Sequence, residues 1–265
     1  MHLNISHKTE YAFDRPVEYA LQQVRLRPVD GPLQTIGNWD VTVEGGGIEA
    51  SYVDHFGNHV DLVSAASDTQ SLTLTAVGQA STTDAAGILG KTYGRAPLWL
   101  FLQDTILTTA GPNIEKLASL ITSAKSVLDG LHQLSAAILN QVPYEVGKTK
   151  SHTQAEQVFQ IGSGVCQDHA HIFVAAARIA GLPARYVSGY LFMPDSVDQD
   201  AGHAWAEVHL DDLGWVGFDV SNGVAPDEKY LRIAVGRDAA DAAPVSGLRV
   251  GASDEAMIVS LQIQQ

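Results

Sequence analysis

The sequence holds a single cysteine, Cys166. No intramolecular disulfide can form, so the fold rests on packing alone. Basic residues are scarce: 16 Lys and Arg stand against 30 Asp and Glu, a formal net charge of −14 at pH 7. Such a chain repels phosphate backbones, which argues against nucleic acid as a partner and leaves the substrate open. Long apolar runs are missing as well. A run such as Ile172 to Ala177 falls far short of the roughly 20 residues a membrane-spanning helix needs. The opening residues, Met1 to Asp14, carry no charged segment followed by an apolar one, so the expected location is cytoplasmic and no membrane partner is expected.

What is present is ordinary for a globular protein: 265 residues, 45% hydrophobic and 17% charged, with 24 Gly and 10 Pro. That length makes one large domain or two modest ones, each able to bury a core without metal staples. The first part reads as β. Leu3, Ile5 and His7 alternate with polar neighbours, as do Val24 and Leu26, then Trp39, Val41 and Val43, and then Leu72, Leu74 and Ala76. Turn chemistry at Pro28 to Pro32, at Gly45-Gly46-Gly47 and at Phe56-Gly57-Asn58 separates these runs. Short strands divided in this way predict an antiparallel sandwich or barrel. The small, polar stretch 81–94 reads as a boundary or a long loop.

Beyond it the apolar period lengthens. Ile114, Leu117, Ala118, Ile121 and Val127-Leu128 have helical spacing, with Pro112 just before them; Leu131, Leu134, Ala137-Ile138 and Val142 make a second helix that Pro143 ends. Val165 to Ala180 reads as a third, Ala-rich helix stopped by Gly181 and Pro183. Strand-like pieces follow at 184–191, 203–210, 215–220 and 257–263. The expected fold class is α+β: an N-terminal antiparallel β domain over residues 1–95, then an α+β domain over residues 96–265. No internal repeat or low-complexity segment interrupts it.

Three residues could carry chemistry together. Cys166 follows Gly162-Ser163-Gly164-Val165 and opens the Ala-rich helix. There the positive end of the helix dipole favours thiolate over thiol, and the free N–H groups of the first turn could bind an oxyanion. His203 begins a strand after an Asp- and Gly-rich loop, where an imidazole can reach a cleft. Asp219 ends the apolar strand Gly214-Trp215-Val216-Gly217-Phe218 and needs a partner or water. In the order Cys166, His203, Asp219 they make a workable nucleophile, base and orienting carboxylate. For each there is a plainer role: a small core residue, a surface imidazole and a turn cap.

The segments Gly164-Val165-Cys166-Gln167-Asp168-His169-Ala170-His171, Ala184-Arg185-Tyr186-Val187-Ser188-Gly189-Tyr190, His203-Ala204-Trp205-Ala206-Glu207-Val208 and Gly214-Trp215-Val216-Gly217-Phe218-Asp219 resemble the bacterial transglutaminase-like proteins, often described as cysteine proteases. Gly236-Arg237-Asp238, Ala243-Pro244-Val245-Ser246-Gly247, Thr153 and Ala155 extend the resemblance over about residues 144–263, and the N-terminal third is similar, more weakly, to the β domain that precedes this core. The resemblance implies a papain-like, transglutaminase-like α+β core in which Cys166 is the nucleophile, His203 the base and Asp219 the orienting carboxylate. It implies acyl chemistry on peptide or glutamine amides through a thioester, a peptide or protein substrate, and neither cofactor nor metal. Two departures stand out: His169 where the family usually has an aromatic residue, and Val220-Ser221 where it usually has Pro-Thr.

Two other readings remain. Cys166, His169, His203 and His209 offer zinc-ligand chemistry, though neither CxxC nor HExxH occurs. A non-catalytic binding module on the same fold is the other. Asp168 is expected to serve the helix dipole, His171, Trp205 and Tyr186 to pack, and Arg237 and Asp238 to form local ion pairs; Tyr144 stands where relatives carry a residue near the site and is not counted among the site residues.

Overall fold

The computed structural model describes residues 1–91, 95–199, 201–251 and 255–265. Its first strand, β1 (His2–Phe13), shows why the N-terminal part folds as it does. Leu3, Ile5, His7, Thr9, Tyr11 and Phe13 are all buried, and the residues between them lie nearer the surface. With β2 (Tyr19–Val24), β3 (Gln34–Glu44), β4 (Gly46–Val53), β5 (His59–Ala65) and β6 (Ser71–Thr82) the chain lays down most of two antiparallel sheets. Their inner faces close on Tyr11, Phe13, Val24, Leu26, Val41, Val63, Leu72 and Leu74. This is the expected sandwich.

The sheets are finished by strands from the far end of the chain. β14 (Glu255–Gln264) pairs along β1 from Asn4↔Gln264 to Phe13↔Glu255, and β13 (Val245–Val250) pairs with β2. The strand expected at 257–263 therefore exists, but it lies beside the first strand of the protein. One sheet has the order β3-β6-β1-β14-β9, where β9 is Asp198–Gln199, and the other β13-β2-β5-β4. The stretch 81–94 is corrected in part. β6 runs on to Thr82, and β7 (Ile88–Gly90) leaves the sandwich to join a third sheet. A three-residue strand is too short to show an alternation. Residues 92–94 of that stretch lie outside the described residues.

The third sheet has the order β12-β8-β10-β11-β7, with β8 (Ala184–Leu191), β10 (His203–Leu210), β11 (Gly214–Phe218) and β12 (Tyr230–Gly236). Helices α1 (Pro112–Ser123), α2 (Val127–Gln141) and α4 (Cys166–Ile179) cover one face, and the short α3 (Gln157–Ile161) leads into α4. Val127-Leu128 belong to α2 and not to the first helix, because Ser126 caps α2 through the Asp129 N–H (3.1 Å). Pro112 is the first residue of α1. Its N-cap, Gly111, has no side chain to offer. Glu156 supplies the carboxylate from across the fold, accepting from Gly111 N (3.2 Å) and Ile114 N (3.1 Å) with one oxygen and Asn113 N (3.0 Å) with the other. The α+β class expected from the sequence is the class found. Among the described residues, no helix is long and apolar enough to cross a membrane.

Candidate active site

Small residues bring α4, the helix that opens at Cys166, down onto the sheet. α4 is buried along almost its whole length and turns Ala170, Ile172, Phe173 and Ala175 to Ala177 into the interior. Strand β10 answers with Ala204, Ala206 and Val208, all buried. Ala170 and Ala204 lie in one cluster, and Cys166 packs against it. Short side chains on both elements let helix and strand approach closely, and α4 lies against β10. At the far end of α4, Arg178 is buried and donates to the carbonyls of Phe101 (2.9 Å), Ala184 (2.9 Å) and Arg237 (2.7 Å) and to the Thr108 hydroxyl (2.9 Å). The sequence reading passed over this arginine; it pins the helix whose first residue is Cys166.

The turn into α4 depends on close approach at Gly164. A Cβ there would stand 2.9 Å from the Asp168 carboxylate, which folds back to accept from Val165 N (2.8 Å) and from the Thr149 hydroxyl (2.6 Å). Asp168 thus caps the helix as expected, and burial pushes its carboxyl above the usual carboxylate range. Cys166 is the first helical residue and is half-buried.

His203 stands opposite. Burial favours its neutral form, but the Asp219 carboxylate, with the Cys166 sulfur nearby, outweighs that, and the imidazole is raised from 6.5 to about 10. Nε2 donates to Asp219 Oδ2 at 2.7 Å. The carboxylate is fully buried, and it stays ionised because three donors converge on Oδ2: His203, Asn222 Nδ2 (2.6 Å) and the Tyr230 hydroxyl (2.7 Å). Burial acts against the ionised form, yet these donors hold Asp219 below the usual carboxylate range. The loop behind it is tight. Asp219 N donates to Val224 O (2.9 Å) and Val224 N returns the bond to Asp219 O (3.1 Å). A rigid turn is therefore built without the proline that the family pattern carries after the aspartate.

The geometry brings Cys166, His203 and Asp219 together and leaves the remaining candidates apart. His169 donates from Nε2 to the Val142 carbonyl (2.8 Å) and shares Nδ1 with the Ser221 hydroxyl (2.8 Å). His209 lies farther along β10, edge-on to Trp215 at 5.4 Å. The four donors of the zinc reading do not converge, and no cluster of three or more His, Cys, Asp or Glu fit for a metal occurs among the described residues. His171 is buried, accepts from Ala239 N (3.0 Å) and packs on Tyr186 at 5.2 Å. Trp205 and Tyr186 are core residues, as expected. Tyr144 does lie near: its ring is 6.2 Å from His169, and burial, with the charges of Cys166 and Asp219, raises its hydroxyl pKa. The local ion pair expected of Arg237 is present, and Asp238 serves the backbone instead. Arg237 pairs with Asp241 (2.8 Å), while Asp238 accepts from the backbone N–H groups of Ala240 (2.9 Å) and Asp241 (3.1 Å). Sequence reasoning missed Tyr230, because β12 is buried on both faces and shows no alternation to betray it.

Residues 115–220 match the transglutaminase-like superfamily core, and residues 3–81 match the bacterial transglutaminase-like N-terminal region. The chain is a bacterial transglutaminase-like protein. An uncharacterised protein of Mycobacterium leprae is 25% identical over 274 residues, covering 98% of both chains. One from Mycobacterium tuberculosis is 34% identical over 144 residues, but this chain covers only 46% of its length. A protein-glutamine gamma-glutamyltransferase of Pseudomonas aeruginosa is 34% identical over 152 residues, 48% of this chain and 23% of that one. The crystal structure of a candidate cysteine protease from Cytophaga hutchinsonii superposes with a TM-score of 0.76 at 22% identity, covering 100% of this chain and 98% of that one. That structure shares the transglutaminase-like, papain-like fold over the whole length, the β domain included.

Proposed function

We propose that this transglutaminase-like protein performs thiol-dependent acyl chemistry on peptide or glutamine amides, with Cys166 as nucleophile, His203 as acid and base, and Asp219 as its orienter. The observation that carries the reading is His203 hydrogen-bonded to a buried carboxylate at 2.7 Å, at the start of the strand that packs on the helix opened by Cys166. An imidazole raised to about 10 holds its proton at neutral pH and can hand it to a leaving nitrogen. The sulfur attacks the amide carbon, and the oxygen gains the electron pair of the C=O bond. The N–H groups of Cys166 and Gln167, without intrahelical partners at the start of α4, stand ready for that oxyanion. Collapse breaks the C–N bond, the nitrogen leaves with the proton of His203, and a thioester remains. Water or an amine then gives its proton to His203 and attacks the thioester; the C–S bond breaks and the thiolate returns.

Incubation of the protein with a glutamine-containing peptide library, with and without a primary amine, followed by mass spectrometry, tests this. Cleavage, deamidation and amine incorporation each leave a different mass. Any of them, abolished in Cys166→Ala, supports the reading; turnover that survives Cys166→Ala overturns it.

A further inference from the structure

Two of the three donors on Asp219 Oδ2 belong to the reading above or to the loop of Asp219 itself. The third does not. Tyr230 reaches in from β12, the edge strand separated from β11 by β8 and β10, and places its hydroxyl 2.7 Å from Oδ2, the same distance as His203 Nε2. Asn222, the other partner, stands in the 219–224 turn and would move with it; its N–H also takes Oδ1, at 3.2 Å. Among the described residues, Tyr230 is the donor that ties this carboxylate to a part of the fold outside its own turn and outside β10.

The phenol is itself held firmly. It is buried, edge-on to Trp205 at 5.5 Å and 84°, and 6.0 Å from the His203 ring. Trp205 lies nearly parallel to His203, at 6.4 Å and 28°. Its ring has room only because residue 189 is glycine: a Cβ there would stand 2.7 Å from the indole. β12 is fixed in register, Tyr230 opposite Leu191. Tyr230, Trp205 and His203 therefore form one packed wall with the carboxylate at its edge.

We propose that Tyr230 is a positioning residue for the thiol chemistry: its hydroxyl fixes the rotation of the Asp219 carboxylate, and the carboxylate in turn presents the His203 ring to Cys166. This rests on the function proposed above. Tyr230 touches neither substrate nor sulfur in this role, and it acts only through Asp219. A purely structural tyrosine would affect folding and leave the coupling between thiol and carboxylate alone.

The experiment is a double-mutant cycle on the full chain, read as the rate at which iodoacetamide alkylates Cys166 at pH 6. Tyr230→Phe keeps the ring and removes the donor. It is expected to slow alkylation about tenfold, the order of one hydrogen bond to an ionised group, and to slow it no further in an Asp219→Asn background. Thermal unfolding checks that each variant is folded, and the ring-nitrogen NMR signals of His203 should shift in Tyr230→Phe. Alkylation at the wild-type rate, an equal slowing in both backgrounds, or unshifted His203 signals overturns the proposal. Should wild-type Cys166 react no faster than a cysteine in a short peptide, the function proposed above fails and the role of Tyr230 falls with it. A fast wild type with an indifferent Tyr230→Phe overturns the tyrosine alone.

Discussion

The imidazole of His169, one turn past Cys166, is hydrogen-bonded to the hydroxyl of Ser221, two residues past Asp219, at 2.8 Å. These are two of the positions at which the chain departs from the usual family pattern, and they touch. Nε2 of His169 donates to the Val142 carbonyl, so Nδ1 is the acceptor and the Ser221 hydroxyl the donor. Burial lowers the histidine's affinity for a proton and keeps it neutral. Helix α4 is thereby stitched to the turn that carries Asp219.

Ser221→Ala should therefore destabilise the protein by about 1–3 kcal/mol, because a buried acceptor loses its donor. Urea unfolding at pH 7 measures it. A change below about 0.5 kcal/mol would show that the stitch does not contribute.

Acid should weaken the fold through two other histidines. His7 bonds the Tyr190 hydroxyl at 2.7 Å, His171 accepts from a backbone N–H, and burial lowers both to about 4. In the unfolded chain they titrate near 6.5. Between pH 6.5 and 4 the unfolded state binds more protons than the folded one, so stability falls as pH falls, by about 3 kcal/mol per histidine at the lower end. His7→Gln and His171→Gln should each lose less stability than the wild type between pH 7 and 4.5. Equal losses would contradict this.

Much of this was legible in advance, and the exceptions have physical causes. The alternation of Leu3, Ile5 and His7 and of Leu72, Leu74 and Ala76 announced half-buried strands, and both runs are buried. The helix opening at Cys166 was legible from its glycine-rich entry and apolar length. Pairing between β1 and β14 was not, because hydrophobic pattern says which face a strand buries and nothing about a partner some 250 residues away. β4 left no mark either: its residues are half-buried or exposed, with no inward face to reveal it. Around the site, Cys166, His203 and Asp219 were visible as residue types in a suggestive order. The donors that hold Asp219 from outside this trio, Tyr230 and Asn222, are residues that any surface or core position could carry.

Glu207 lies on the same face of β10 as His203 and is clamped between two arginines, Arg185 (2.6 Å) and Arg232. Burial opposes its ionised form, but the two cations overcome this and hold it below the usual range. Glu207→Gln would leave both guanidinium groups short of a counter-charge in a site where the carboxylate is 2% exposed. A loss of about 3–5 kcal/mol is expected, read as a lowered urea midpoint with an unchanged slope. A variant as stable as the wild type would mean that the cluster contributes nothing net.

The central claim is a covalent bond between Cys166 and the acyl group of an amide. Rapid acid quenching of the protein with a reactive glutamine-containing peptide, followed by intact-mass and peptide-level spectrometry, looks for that bond directly. The account requires an adduct on Cys166 of the peptide's mass less its leaving amine, removable by hydroxylamine and absent in Cys166→Ala. It also requires that the adduct form far more slowly in His203→Ala. Product accumulating with no adduct at any time, or an adduct on another residue that persists in Cys166→Ala, would contradict it.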